Sequence, residues 1–118
     1  MVKNLWNKIR IVCGNHENNF PEMTLKTGHR SMFYSCPKYY PENRNSNEYA
    51  CVNNVSTEDF EKILEKLSEE INEQMIFGTT PNLLNLKFKI KNIEITVIEH
   101  TDKSITIKIL NKHALATR

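Results

Sequence analysis

With 118 residues, the chain is about one domain long, and 39% hydrophobic against 25% charged residues is the balance of a soluble globular protein, which excludes disorder as the default. A formal net charge of +2, from 16 basic and 14 acidic residues, excludes the overall basic field of a dedicated nucleic-acid protein, so any such contact has to come from a local patch. No run approaches the roughly 20 apolar residues needed to cross a bilayer. Lys3, Asn4, Asn7, Lys8 and Arg10 interrupt the stretch where a signal peptide would be apolar, so a cytoplasmic protein without membrane contact is expected.

The first element is read from Lys8-Ile9-Arg10-Ile11-Val12, where Ile9 and Ile11 alternate with charged neighbours at the period of a half-buried strand that delivers Cys13 at its end. Trp6, the only tryptophan, is expected to plug a core.

All three cysteines lie between Cys13 and Cys51. In a reducing cytosol an odd count of three points away from a disulfide framework and toward metal binding or a reactive thiol. Cys13-Gly14-Asn15-His16 has the form of a knuckle, two ligands gripping one ion across two residues, with Gly14 relieving the backbone around the sulfur. Met23 to Thr27, a turn at Gly28, and Ser31 to Ser35 then read as a hairpin ending on Cys36-Pro37. A loop from Tyr39 to Tyr49, rich in Pro, Asn, Ser and Glu, leads to Cys51.

Cys13, His16, Cys36 and Cys51 are therefore the predicted ligands of one Zn2+ in a closed tetrahedral site with no open position for chemistry, and His29 is the alternative fourth ligand. The competing reading makes the cysteines small buried hydrophobes and His16 a loop residue. A half-domain of about 50 residues buries too little surface to stand alone, and zinc supplies on the order of 10 kcal/mol in such modules. Removing the ion is expected to loosen this half and leave the other folded.

Ser56 precedes Asp59 by three residues, a near relative of the capping box, with Val55 and Phe60 placed as a hydrophobic staple. Phe60, Ile63, Leu64, Leu67, Ile71 and Met75 share one face of a predicted helix over 56–77, while Glu61, Lys62, Glu65, Lys66, Glu69 and Glu70 cover the other. Gly78 is the expected C′ residue, and Pro81 prevents resumption.

Over 84–112, Leu86, Phe88 and Ile90, then Ile93, Ile95 and Val97, then Ile105, Ile107 and Ile109 alternate with polar residues, predicting a three-stranded antiparallel meander with the helix across it. Its other face presents Lys87, Lys89, Lys91 and Lys108, the one patch that would meet phosphates, although alternating lysines also protect exposed strands from edge pairing. His100 and His113 are isolated and read as surface residues.

Strand, knuckle, hairpin and second knuckle follow the order of a zinc ribbon. Cys36-Pro37-Lys38 resembles the opening of a ribbon's Cys-Pro-x-Cys, with Tyr39 standing where the last cysteine would be. Together with Cys13 to His16, Phe33 to Tyr39, Ala50 to Asn54 and the capped start Ser56 to Ile63, the chain resembles small zinc-ribbon-like proteins of unknown function carried by conjugative or integrative mobile elements of low-GC Gram-positive bacteria. The resemblance implies Cys13, His16, Cys36 and Cys51 as metal ligands, and a mobile-element setting.

The expected fold is α+β, with a zinc-ribbon-like β module over 1–54 and a helix plus β-meander unit over 55–118. No phosphate loop, paired-histidine signature or nucleophile elbow occurs. The expected function is that of a non-enzymatic zinc-binding accessory or adaptor protein whose partner is a protein or a nucleic acid. Direct nucleic-acid binding through Lys87, Lys89, Lys91 and Lys108 is the alternative, and a thiol enzyme using Cys13 or Cys36 with His16 is the second alternative.

Overall fold

Alternating isoleucines build the central sheet. Ile93, Ile95, Val97, Ile105, Ile107 and Ile109 are all buried, while most of their neighbours in sequence are only partly covered, so a period of two has sorted one face to the core. A computed structural model describes residues 6–16, 20–28, 31–37, 51–78, 80–101 and 103–113. Within these, the elements are β1 (Lys8–Cys13), β2 (Thr24–Thr27), β3 (Met32–Ser35), β4 (Asn54–Ser56), α1 (Thr57–Ile76), β5 (Lys87–Ile90), β6 (Ile93–His100) and β7 (Ser104–Asn111).

The expected antiparallel meander is present as β5-β6-β7, with Ile90 facing Ile93 and Ile95 facing Ile109. One strand more belongs to it. β1 lies parallel against β7 from Lys8 opposite Ser104 to Cys13 opposite Ile109, giving a four-stranded sheet in the order β1-β7-β6-β5. A parallel pair needs a long connection, and the whole intervening chain supplies it. Periodicity shows that a strand buries one face but carries no information on which strand it lies beside.

The hairpin β2-β3 forms as expected and is extended by β4, producing a three-stranded antiparallel sheet in the order β2-β3-β4. The pairing of β1 with β7 crosses the expected division between 1–54 and 55–118. The core crosses it too: Trp6, Ile11, Cys13, Cys36 and Cys51 belong to the same buried cluster as Phe60, Ile63, Leu67, Ile95 and Ile107.

The helix begins where its cap chemistry dictates. The Ser56 side chain accepts a hydrogen bond from Asp59 N at 3.0 Å, and Glu58 and Asp59 place negative charge in the first turn. Ser56→Ala is expected to cost about 1 kcal/mol in a urea melt, with the slope unchanged. Phe60, Ile63, Leu67 and Ile71 are buried, but Met75 is 60% exposed although its spacing puts it on the same stripe. The helix ends on Gly78, whose φ of 77° and N–H bond to Met75 O form the expected left-handed terminus.

Trp6 is buried as expected, in edge-to-face contact with His100 at 6.0 Å between ring centroids. His100 is therefore half-buried and not a free surface residue. Its Nδ1 accepts from Leu83 N at 3.2 Å, which only the neutral tautomer permits, and burial holds its pKa below the ordinary 6.5. Because the folded state disfavours the proton relative to the unfolded chain, this contribution to stability is complete above pH 6.5 and is lost as the pH falls below it. Thermal melts between about pH 7.5 and 5.5 are expected to show that decline, and His100→Gln to flatten it.

Candidate metal centre

Four candidate ligands of two types, thiol and imidazole, arrive at one point from both sheets. β1 ends on Cys13, and the chain turns immediately so that Gly14 N donates to Ile109 O of β7 at 2.8 Å. A Cβ on residue 14 would lie 3.0 Å from Lys108 Cγ and 3.1 Å from Ile109 O. Gly14 is thus required for close approach of the knuckle to β7, a different reason from the relief around sulfur expected of it. The turn brings His16 back toward Cys36, which follows β3, and Cys51 approaches from the segment entering β4. Cys36 N donates to Asn53 O at 3.1 Å, so the second and third ligand segments are joined through backbone.

Cys13 Sγ lies 3.6 Å from Cys51 Sγ, and His16 Nε2 lies 3.3 Å from Cys36 Sγ. All four ligand atoms lie within 4.8 Å of one another. In a tetrahedral zinc site with Zn–S near 2.3 Å and Zn–N near 2.0 Å, ligand atoms stand about 3.5–3.8 Å apart along each edge. The two close pairs already match opposite edges of such a figure, and the remaining separations need to contract by about 1 Å at most. Cys13 and Cys36 are fully buried and Cys51 is 1% exposed, while His16 is half-buried. The cysteines are not paired in a disulfide. The donor set therefore fits a closed metal centre, with no sulfur open to an approaching substrate.

The sulfurs also have donors of their own. Asn53 Nδ2 donates to Cys13 Sγ at 3.1 Å and Asn15 Nδ2 to Cys51 Sγ at 3.3 Å. Contacts from Cys13, then from Cys36, hold the Cys51 thiol far below the ordinary range. Cys13 is pushed up: the lowering contact with Cys36 is outweighed by the contact with Cys51 and by burial. A divalent cation bound among these sulfurs would stabilise all three as thiolates.

The two asparagines were absent from the expected site. Their only signal is position, since Asn15 lies two residues after Cys13 and Asn53 two after Cys51. A chain rich in asparagine hides such donors among turn residues. His29 and the Tyr39 to Tyr49 loop lie outside the described residues.

Of the four lysines, Lys87, Lys89 and Lys108 share one face of the sheet, with Lys87 and Lys108 on either side of Thr96, and Lys91 does not. Lys87 and Lys89 are exposed on β5, and Lys89 stands directly opposite Glu94. Lys91 is in the turn after β5 with a left-handed backbone, and its Nζ pairs with Asp59 at 2.9 Å. Lys108 is half-buried, with Nζ 4.8 Å from the centre of the Phe20 ring. Arg10, on β1, is likewise engaged by Glu22 at 2.8 Å. No helix among the described residues is long and apolar enough to cross a membrane. Comparison with protein-family models, curated proteins and solved structures finds no match for this chain.

Proposed function

We propose that the protein is a non-enzymatic accessory module in which Cys13, His16, Cys36 and Cys51 hold a structural zinc ion that joins its two sheets, and that it acts by binding another macromolecule. The observation that carries the metal reading is the convergence of four ligand atoms within 4.8 Å of one another, three of them buried sulfurs. Thiolate and imidazole donors in a four-ligand set favour zinc over hard cations such as magnesium or calcium, which take oxygen ligands. With every position of the tetrahedron supplied by the protein, the ion has no site left for water or substrate, and its chemistry is that of a staple. Burial of all three sulfurs argues against a thiol nucleophile, which needs an accessible thiolate beside its base.

Elemental analysis of protein purified without added metal tests the first half of this reading, with one zinc per chain as the expected result. Substitution by Co2+ is expected to give the strong visible bands of a four-coordinate thiolate site. Absence of both overturns it. The second half is tested by salt. Glu94 opposite Lys89 and engagement of Lys91 by Asp59 dilute the charge on the sheet face, so no saturable binding to DNA or RNA is expected at about 0.15 M salt. Tight binding that falls steeply as salt rises, and weakens in the Lys87→Ala/Lys89→Ala double variant, would transfer the assignment to nucleic acid.

A further inference from the structure

Asn53 is fully buried, and every polar atom of its side chain is committed. Its Oδ1 accepts from Asn111 N at 2.8 Å, and its Nδ2 donates to Ile109 O at 2.8 Å. These two backbone partners fix which way the amide faces, because a backbone N–H has to meet the oxygen and a backbone carbonyl the nitrogen. One amide proton then remains, and it points to Cys13 Sγ at 3.1 Å. A sulfur that must accept here is best served as a thiolate, the form that binds metal.

The same residue reaches further than its side chain. Its backbone oxygen accepts from Cys36 N, so Asn53 touches the segments of two metal ligands and the end of β7 at once. Ile109 O receives Gly14 N from the other side, also at 2.8 Å. The carbonyl of one β7 residue is thus clasped between the first knuckle and Asn53. Asn111, held by Asn53, in turn donates its side-chain Nδ2 to Asn54 O at 2.8 Å.

We propose that Asn53 is the positioning residue that transmits occupancy of the metal centre to β7, so that binding of the ion orders the end of the four-stranded sheet around Ile109 and Asn111. The proposal rests on the metal reading above and adds to it a direction of coupling. When the Cys13 sulfur is drawn into a metal bond as a thiolate, its hydrogen bond from Nδ2 strengthens and the Asn53 amide plane is locked. That plane sets the Asn111 bond. Asn15 provides an internal comparison, since its amide reaches Cys51 Sγ and no bond from it to β7 accompanies that contact.

The test is hydrogen exchange of the wild-type protein with one equivalent of zinc and after chelation, together with Co2+ spectra of Asn53→Ala and Asn15→Ala. In the wild type, the Asn111 amide and the side-chain amide of Asn53 are expected to exchange at least tenfold more slowly with zinc bound. Asn53→Ala is expected to keep the four-coordinate cobalt spectrum, to shift the thiolate charge-transfer band to longer wavelength, and to weaken zinc binding by about 10- to 100-fold. In that variant the Asn111 amide, having lost its Oδ1 acceptor, is expected to be unprotected even with zinc bound, while amides in the middle of β7 keep their protection. Asn15→Ala is expected to shift the band while leaving the dependence of Asn111 on zinc intact.

Equal Asn111 protection with and without zinc in the wild type overturns the coupling even if Asn53→Ala fails to fold. An unchanged band and an affinity within threefold in Asn53→Ala overturn the positioning role. If the wild type binds no metal at all, it is the metal reading that fails, and the elemental analysis separates the two cases.

Discussion

Chelation of the purified protein is expected to unfold both sheets in one cooperative transition, in contrast to the partial loosening that two independent modules would show. The energetic argument is direct. A structural zinc site contributes apparent binding energies of about 10–16 kcal/mol, against a total stability of about 5–15 kcal/mol for a domain. Loss of the ion therefore removes as much free energy as the folded state possesses. Whether that loss stays local depends on connections, and here they are dense. Cys13 is the last residue of β1, β1 is hydrogen-bonded along its length to β7, and the three cysteines lie in the same core cluster as the isoleucines of β6 and β7. Trp6 supplies the measurement. It is the only tryptophan, it is buried beside His100, and it lies roughly 20 Å from Cys13 along an extended strand. On chelation its emission is expected to shift to the red together with loss of the far-ultraviolet circular dichroism signal. A tryptophan signal that stays native while the dichroism falls would mean that the four-stranded sheet, on which Trp6 packs, stays folded without the metal and the three-stranded sheet.

The elements of the fold were legible in the sequence because each depends on chemistry within a few residues. Ile9 and Ile11, the Gly28 hairpin, the Ser56 cap, the helical stripe through Leu67 and the alternation through Ile109 are all local patterns, and each appears where it was expected. The ligand set was legible for a second reason, since Cys and His are sparse and their chemistry is narrow. What could not be read was assembly. The parallel pairing of β1 with β7 joins residues nearly a full chain length apart, and nothing in Lys8 to Cys13 distinguishes it from an edge strand of a separate module. Gly14 shows the same limit: its need for space comes from Lys108 and Ile109, far along the chain. Asn53 was invisible because an asparagine near a cysteine reads as turn chemistry until the backbone atoms it meets are known.

Ile107→Ala provides the second large effect, and it asks whether the metal and the core are one system. Ile107 is fully buried in the centre of β7, opposite Ile11 on one side and Val97 on the other, with no direct part in the metal centre. Truncating a buried isoleucine costs about 2–5 kcal/mol, the upper range applying where neighbours cannot collapse into the space, as between two hydrogen-bonded strands. A fall of about 3–4 kcal/mol in the zinc-bound protein is expected from denaturant melts. The consequence for the ion follows by linkage. If the metal-free chain is largely unfolded, apparent zinc affinity contains the folding free energy, and a mutation that lowers folding by about 3 kcal/mol weakens apparent affinity by about a hundredfold without touching a ligand. Competition with a chelator of known affinity measures it. If Ile107→Ala destabilises the protein yet leaves zinc affinity unchanged, the site forms without the four-stranded sheet, and the union of the two sheets through one ion is wrong.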